Sequence, residues 1–129
     1  MIDFLKWVSL KAALAAHGEQ IAEHGGGHGL RDLGLLESAM ARPQQLAAYG
    51  KPDLAAMAAA YAFGIARNHP FIDGNKRTAA VVSELFLVKN GCNLKAGNAE
   101  IAVTFLALAA GELSEDELAD WFREHLVTA

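Results

Sequence analysis

The sequence predicts an all-α fold, a compact single domain of about six helices. Hydrophobic residues recur at helical spacing along most of the chain. The length of 129 residues suits one domain. Apolar residues make up 53% of the chain and charged residues 20%, so it can form a hydrophobic core of its own.

The first part of the chain predicts two helices and a loop between them. Leucine, isoleucine and alanine recur at helical spacing over 9–23, and the opening serine is the expected N-cap. The run 25–29 contains four glycines and is expected to be a flexible loop. Asp32 is expected to cap a short second helix that Pro43 stops, with 44–52 as a linker.

The middle of the chain predicts two buried helices around one polar loop. The segment 53–67 is rich in alanine and almost uncharged, which is typical of a helix at the centre of a domain. The segment 76–90 is also apolar around most of its circumference, and Gly91 is placed to end it. The loop 68–74 lies between them.

The last part of the chain predicts two more helices. Cys92–Lys95 is expected to be a short extended piece, and Asn98 is expected to cap a helix that runs to about Ala110. The spacing of Ser114–Glu117 predicts a capping box that opens a final helix, which continues to Leu126. No sheet, internal repeat or domain boundary is expected.

Composition argues against several classes of protein. Cys92 is the single cysteine, so an internal disulfide is excluded and a structural zinc site is disfavoured, and a cytoplasmic location is expected. The start Met1–Trp7 lacks the pattern of a signal peptide. The longest uncharged stretch, Leu54–Ala66, is shorter than the ~20 residues that span a bilayer, so no membrane association is expected. The net charge of -4 disfavours direct binding to nucleic acid.

The loop between the two buried helices, together with the start of the helix that follows it, contains a cluster of polar residues. These are His69, Asp73, Asn75, Lys76 and Arg77. The first turn of the following helix presents free N–H groups, and Gly74 allows close approach of a bound group, which together make an anion site. Lys76 and Arg77 stand where a helix normally prefers acidic residues, so their position is unfavourable unless an anion binds there.

The residue types in this loop indicate a nucleotide site with a base. Asp73 offers a hard oxygen ligand that could hold Mg²⁺ between itself and phosphate groups. His69 can accept a proton from an alcohol at neutral pH without special tuning, so it is the expected general base. Phe71 is two residues from both, and we expect it to point into the core and hold the loop.

Each of these residues also has an ordinary structural interpretation. His69 could simply be a histidine at a helix C-terminus, and Asp73 an N-cap. Asn75 could be a turn residue, and Lys76 and Arg77 solvated charges. Their joint occurrence favours the functional interpretation, because capping accounts for Asp73 but not for two adjacent cations beside a histidine.

Residues 69–77, which read His-Pro-Phe-Ile-Asp-Gly-Asn-Lys-Arg, resemble the signature of the Fic superfamily, His-x-Phe-x-Asp/Glu-Gly/Ala-Asn-x-Arg. They are most similar to its short Doc (death-on-curing) branch. The segments 29–39, 66–70 and 111–114 also resemble Doc proteins. The resemblance implies the compact Fic/Doc helical bundle as a single domain over 1–129.

Two positions in and after the motif distinguish the branches. Fic proteins that transfer adenosine monophosphate usually read Gly-Asn-Gly-Arg-x-x-Arg. This chain has Lys76 in place of the second glycine and Ala80 in place of the second arginine, as Doc proteins do. The resemblance therefore implies a kinase that passes the γ-phosphate of ATP to a threonine of elongation factor Tu and arrests translation. It implies the following roles: His69 as the base, Asp73 as the Mg²⁺ ligand, and Gly74, Asn75, Lys76 and Arg77 around the phosphates.

The resemblance also implies a partner. The inhibitory Ser/Thr-x-x-x-Glu-Gly/Asn pattern of many Fic enzymes is missing from the sequence, which is consistent with a toxin restrained by a small antitoxin of the Phd type. We expect that antitoxin to bind a groove lined by apolar residues of the first helices. Adenylylation and a non-catalytic, antitoxin-binding co-repressor are the alternative functions. Arg31 and Arg67 are weaker candidates for the site.

Overall fold

The computed structural model describes residues 5–128, which form six helices and one small sheet. The helices are α1 (Leu10–His24), α2 (Leu33–Tyr49), α3 (Leu54–Asn68), α4 (Asn75–Lys89), α5 (Asn98–Ala109) and α6 (Glu115–His125). Residues 1–4 and 129 lie outside the described residues. The prediction that Met1–Trp7 lacks a signal peptide therefore falls largely outside them. Within 5–128, none of the helices has the length and apolarity needed to cross a membrane.

α3 is the central helix, as its uniformly apolar sequence predicts. It packs against α2, α4, α5 and α6, and Tyr61 and Ile65 on it are fully buried. Asp53 caps it by accepting a hydrogen bond from the backbone N–H of Ala56 at 2.8 Å. Gly64 allows the close approach of α2, because a Cβ atom built there would lie 3.0 Å from Ala39.

The predicted end of the second helix at Pro43 is wrong. Asp32 is its N-cap as expected, but α2 continues through Pro43 to Tyr49, so most of the predicted linker is helical. Proline removes one backbone donor and crowds the preceding turn. The helix continues because Pro43 is fully buried and α2 packs against α3, and this burial and packing offset the local cost.

For the end of the chain, two predictions are corrected, whereas the short extended piece after α4 and the capping box of α6 are confirmed. The N-cap of α5 is Gly97 rather than Asn98, whose side chain makes no capping bond. A small antiparallel sheet also forms, in which β1 (Cys92–Leu94) pairs with β2 (Leu126–Thr128). The predicted capping box is present, with reciprocal hydrogen bonds between Ser114 and Glu117. The pairing of β1 with β2 was not predicted, because strands of three residues are too short to give a periodic signal in the sequence.

A backbone strap holds the polar loop between α3 and α4. Leu30 and Phe71 form an isolated antiparallel bridge. The N–H groups of Arg31 and Asp32 both donate to the carbonyl of Pro70, at 2.7 and 3.0 Å. The segment that connects α1 to α2 therefore lies directly against the loop between α3 and α4 and helps to position that loop.

Candidate active site

His69 lies at the end of α3 in a backbone conformation that residues other than glycine rarely adopt. It is the C-cap residue and has left-handed backbone angles, with φ 50° and ψ 55°. Arg31 stabilises this helix end, donating from Nε to the carbonyl of His69 at 2.7 Å and from Nη2 to that of Asn68 at 2.8 Å. The imidazole itself is exposed on the pocket side, where a substrate hydroxyl could reach it.

Phe71 and Asn75 clamp the loop from inside. Phe71 is 1% exposed, which confirms that it points into the core. The side chain of Asn75 accepts from the Phe71 N–H at 2.9 Å and donates to its carbonyl at 3.0 Å. Asn75 Nδ2 also lies 3.5 Å from Nδ1 of His69, at the outer limit for a hydrogen bond. The Asn75 side chain is thus committed to the loop, and its backbone N–H is the group open to an anion.

The carboxylate of Asp73 is oriented by backbone donors. Oδ1 accepts from the N–H of Gly74 at 2.8 Å, and Oδ2 accepts from the N–H of Gly27 at 3.4 Å. The glycine-rich loop comes so close that a Cβ atom on Gly26 would lie 2.6 Å from Oδ2. The absence of a side chain at Gly26 is what lets this loop lie against the carboxylate.

Asp73 fits the predicted role of a Mg²⁺ ligand. Its side chain is exposed, and a carboxylate that accepts two backbone bonds still has free lone pairs. Among residues 5–128, no group of three or more histidine, cysteine or acidic side chains is placed to hold a metal. A Mg²⁺ ion here would therefore take its other ligands from phosphate and water, which is the usual arrangement for this ion.

The start of α4 fits an anion. Gly74 precedes it with φ 78°, and within the described part of the chain no side chain caps the first turn. The helix therefore presents its first N–H groups and the positive end of its dipole to the pocket. Lys76 and Arg77 are exposed beside them, and neither forms an ion pair with another described residue.

These groups share one open cavity of about 830 Å³, which is within the usual range for a ligand pocket. His69, Asp73, Gly74, Asn75, Lys76 and Arg77 all line it. Apolar residues of α5 also line it, namely Ile101, Ala102, Phe105 and Leu106. The structure thus brings all the predicted site residues together in the lining of one cavity.

The two arginines that were weaker candidates have different surroundings. Arg31 supports the loop backbone, as described above, and does not line the cavity. Arg67 lies outside the cavity lining with its guanidinium carbon 5.3 Å from the centre of the Phe63 ring. Neither lines the cavity that contains the other candidate residues.

Sequence reasoning missed the contribution of α1 to the site. His17 is 4% exposed, and its Nε2 donates to the carbonyl oxygen of Asp73 at 2.8 Å. A signal was available, because His17 is seven residues after Leu10 and four before Ile21, on the apolar face of α1. A histidine on that face must find a polar partner inside the protein.

Comparisons with known proteins identify the family. The family model described as "Fic/DOC family" matches residues 7–87. The chain is 35% identical over 120 residues to "Protein kinase doc" of Escherichia phage P1, covering 92% of this chain and 94% of that protein. It is also 48% identical over 75 residues to "Toxin Doc" of Mycolicibacterium smegmatis, covering 56% of this chain and 57% of that one. With the motif and the helical fold in place, the chain belongs to the Doc family of the Fic/Doc superfamily.

Proposed function

We propose that this protein is the toxin of a type II toxin–antitoxin system and acts as an ATP-dependent protein kinase. The proposed reaction transfers the γ-phosphate of ATP to a threonine hydroxyl of elongation factor Tu, which arrests translation. The observation that carries the proposal is that exposed His69 shares one cavity with the uncapped start of α4 and with Asp73. The names of the two relatives, a protein kinase and a toxin, agree with it.

The site residues would act through position and charge. His69 accepts the proton of the threonine hydroxyl as its oxygen bonds to the γ-phosphorus, and the bond to the β–γ bridging oxygen breaks to give ADP. The N–H groups at the start of α4, with Lys76 and Arg77, stabilise the charge on the phosphate oxygens. When bound by Asp73, Mg²⁺ would neutralise further phosphate charge.

Adenylylation is the second candidate reaction. The cavity is lined by Lys76 and Ala80, the two positions where this chain departs from the adenylyltransferase pattern. In that pattern an arginine stands in place of Ala80 and holds outer phosphates, and alanine offers no charge for this purpose. The chain therefore favours transfer of the γ-phosphate.

The test uses ATP that carries its label on either the α or the γ phosphate, incubated with purified protein and elongation factor Tu. We expect label from the γ position only, together with the mass gain of one phosphate on the target. His69→Ala should abolish transfer, whereas His28→Ala, which changes an exposed histidine outside the cavity lining, should retain it. Label from the α position would instead establish adenylylation.

We also propose that a small antitoxin of the Phd type restrains this activity by folding onto the first helices. Leu14 on α1 and Leu33 and Leu46 on α2 are large apolar side chains that remain exposed in this part of the surface. The His69→Ala variant should lose growth arrest and keep its affinity for a small protein encoded beside it. Loss of that affinity in the variant, or its absence in the wild type, would contradict restraint by an antitoxin bound to the first helices. Growth arrest by the variant would support the co-repressor alternative.

A further inference from the structure

His17 on α1 is a buried histidine whose contacts are made with the motif loop. Its Nε2 donates to the carbonyl oxygen of Asp73 at 2.8 Å. Its ring lies flat on the ring of Phe71, with the centroids 3.8 Å apart and the planes 3° from parallel. One side chain therefore contacts both the core anchor of the loop and the backbone of the residue expected to hold Mg²⁺.

We infer that His17 is a positioning residue, which sets the orientation of the Asp73–Gly74 turn for binding of phosphate and Mg²⁺. The inference rests on the proposed function only for the identity of the ligands, phosphate and Mg²⁺, that the turn binds. His17 is 4% exposed and does not line the cavity, so it acts through the turn.

The planarity of the peptide bond transmits the effect of the hydrogen bond. The unit that joins Asp73 to Gly74 is trans, so its carbonyl oxygen and its N–H point in opposite directions. While His17 holds the carbonyl, the N–H of Gly74 points the opposite way, and Oδ1 of Asp73 accepts it at 2.8 Å. One bond from α1 thereby orients the carboxylate.

Close packing beneath Gly74 limits how far the turn can move. A Cβ atom built on Gly74 would lie 3.2 Å from Cδ1 of Ile21 and 3.6 Å from Cδ2 of His17. The turn thus rests directly on α1, and the imidazole is part of that surface. Rotating the Asp73–Gly74 peptide would leave a buried donor on His17 without its acceptor, which is costly.

Two substitutions separate the hydrogen bond from the ring. His17→Phe keeps a flat ring against Phe71 but removes the donor, whereas His17→Gln keeps an amide donor of similar reach but removes the ring. We expect His17→Phe to raise KM for ATP·Mg²⁺ roughly tenfold, with a smaller change in kcat and none in KM for the protein target. His17→Gln should return KM for ATP·Mg²⁺ to within about threefold of the wild type.

Leu118→Ala is the control for general loss of stability, since Leu118 is fully buried on α6 and does not line the cavity. It should lower Tm and leave KM for ATP·Mg²⁺ unchanged. The inference is overturned if His17→Phe behaves like this control. It is also overturned if His17→Gln raises KM as much as His17→Phe does.

A second measurement does not depend on catalysis. If the wild type transfers no phosphate, the proposed function fails, and the backbone amide of Gly74 still reports on the turn by NMR. We expect its chemical shift to change in His17→Phe beyond the change in Leu118→Ala, and to return toward the wild-type value in His17→Gln. An unchanged Gly74 amide in His17→Phe would overturn the inference on its own.

Discussion

Arg31 acts on the site through the backbone of the loop. Its guanidinium bonds two carbonyl groups at the end of α3, where a cation also meets the negative end of the helix dipole. In the sequence, Arg31 and Arg67 are equivalent candidates, because each is an isolated cation close to the motif or to a glycine-rich segment. The structure separates them by their partners: two carbonyl oxygens for Arg31, and the Phe63 ring for Arg67.

Arg31→Ala should therefore impair both stability and activity, because it releases the backbone of His69 from its left-handed conformation. We expect a loss of about 1 kcal/mol in the free energy of unfolding and roughly tenfold in kcat/KM. Arg67→Ala is the matched control at the same helix end and should retain activity. Urea titration and the phosphate-transfer assay measure the two effects; equal activity in the two variants would contradict this role.

The glycine-rich loop offers a comparable pair. Gly25 and Gly26 both have positive φ, 79° and 118°, so alanine is strained at either position. A Cβ atom on Gly26 would meet the carboxylate of Asp73, whereas one on Gly25 has no atom within 4 Å. Gly26→Ala should raise KM for ATP·Mg²⁺ more than tenfold, and Gly25→Ala should change it less than about threefold. The Mg²⁺ dependence of the reaction checks this, and similar values for the two would contradict it.

At the scale of helices, the contact between α2 and α3 decides where each can lie. Alanine and glycine let the two backbones approach closely at Ala39 and Gly64, and α2 continues past Pro43 to Tyr49. The sequence shows the small residues on α3 but not which helix they face. Tertiary packing outweighed the local preference of proline here, so the length of α2 could not be predicted from local signals.

Gly64 and Gly18 should respond to the same substitution with opposite signs. Both are helical glycines, and alanine has the higher helix propensity by about 1 kcal/mol. On Gly18 a Cβ atom meets nothing within 4 Å, so Gly18→Ala should raise the free energy of unfolding by about 0.5–1 kcal/mol. On Gly64 it would press on the backbone of Ala39, so Gly64→Ala should lower it by about 1 kcal/mol. Denaturant titration measures both changes. Stabilisation by Gly64→Ala would contradict the expected clash and show that α2 can move away from the added methyl group.

For the molecule as a whole, contacts distant in sequence join the last helices. The imidazole of His125 donates to the carbonyl of Trp121 at 2.7 Å and pairs with Glu100 of α5 at 2.7 Å. The hydrogen bond to Trp121 and the charge of Glu100 raise the pKa of His125 above its usual value. Protonated His125 therefore favours the folded state.

This contact should make stability depend on pH. Because the pKa is raised on folding, the stabilisation is fully present below the unfolded pKa of about 6.5 and is lost as pH rises through the higher folded value. In a double-mutant cycle with His125→Gln and Glu100→Gln, the coupling should be measurable near pH ~5.5 and small near pH ~8.5. Thermal unfolding at both pH values measures it. A coupling that grows with pH would contradict the assignment.

Much of the candidate site is local in the sequence. His69, Asp73 and the start of α4 lie within one loop and one helical turn, so their residue types and spacing predict both the anion site and the base. The α3 and α4 helices around them are recognisable for the same reason, since periodicity and end signals are local properties. The capping box at Ser114 was predicted correctly on this basis.

The sequence by itself determined the helical class, the two central helices, the motif and, by resemblance, the family. Only the tertiary structure decided what holds the motif in place: His17 from α1, the glycine-rich loop against Asp73, and Arg31 at the end of α3. It also decided the path of α2 through Pro43 and the pairing of β1 with β2. The physical reason is common to all of these, because each depends on which distant segment supplies the partner, and local spacing carries no information about that.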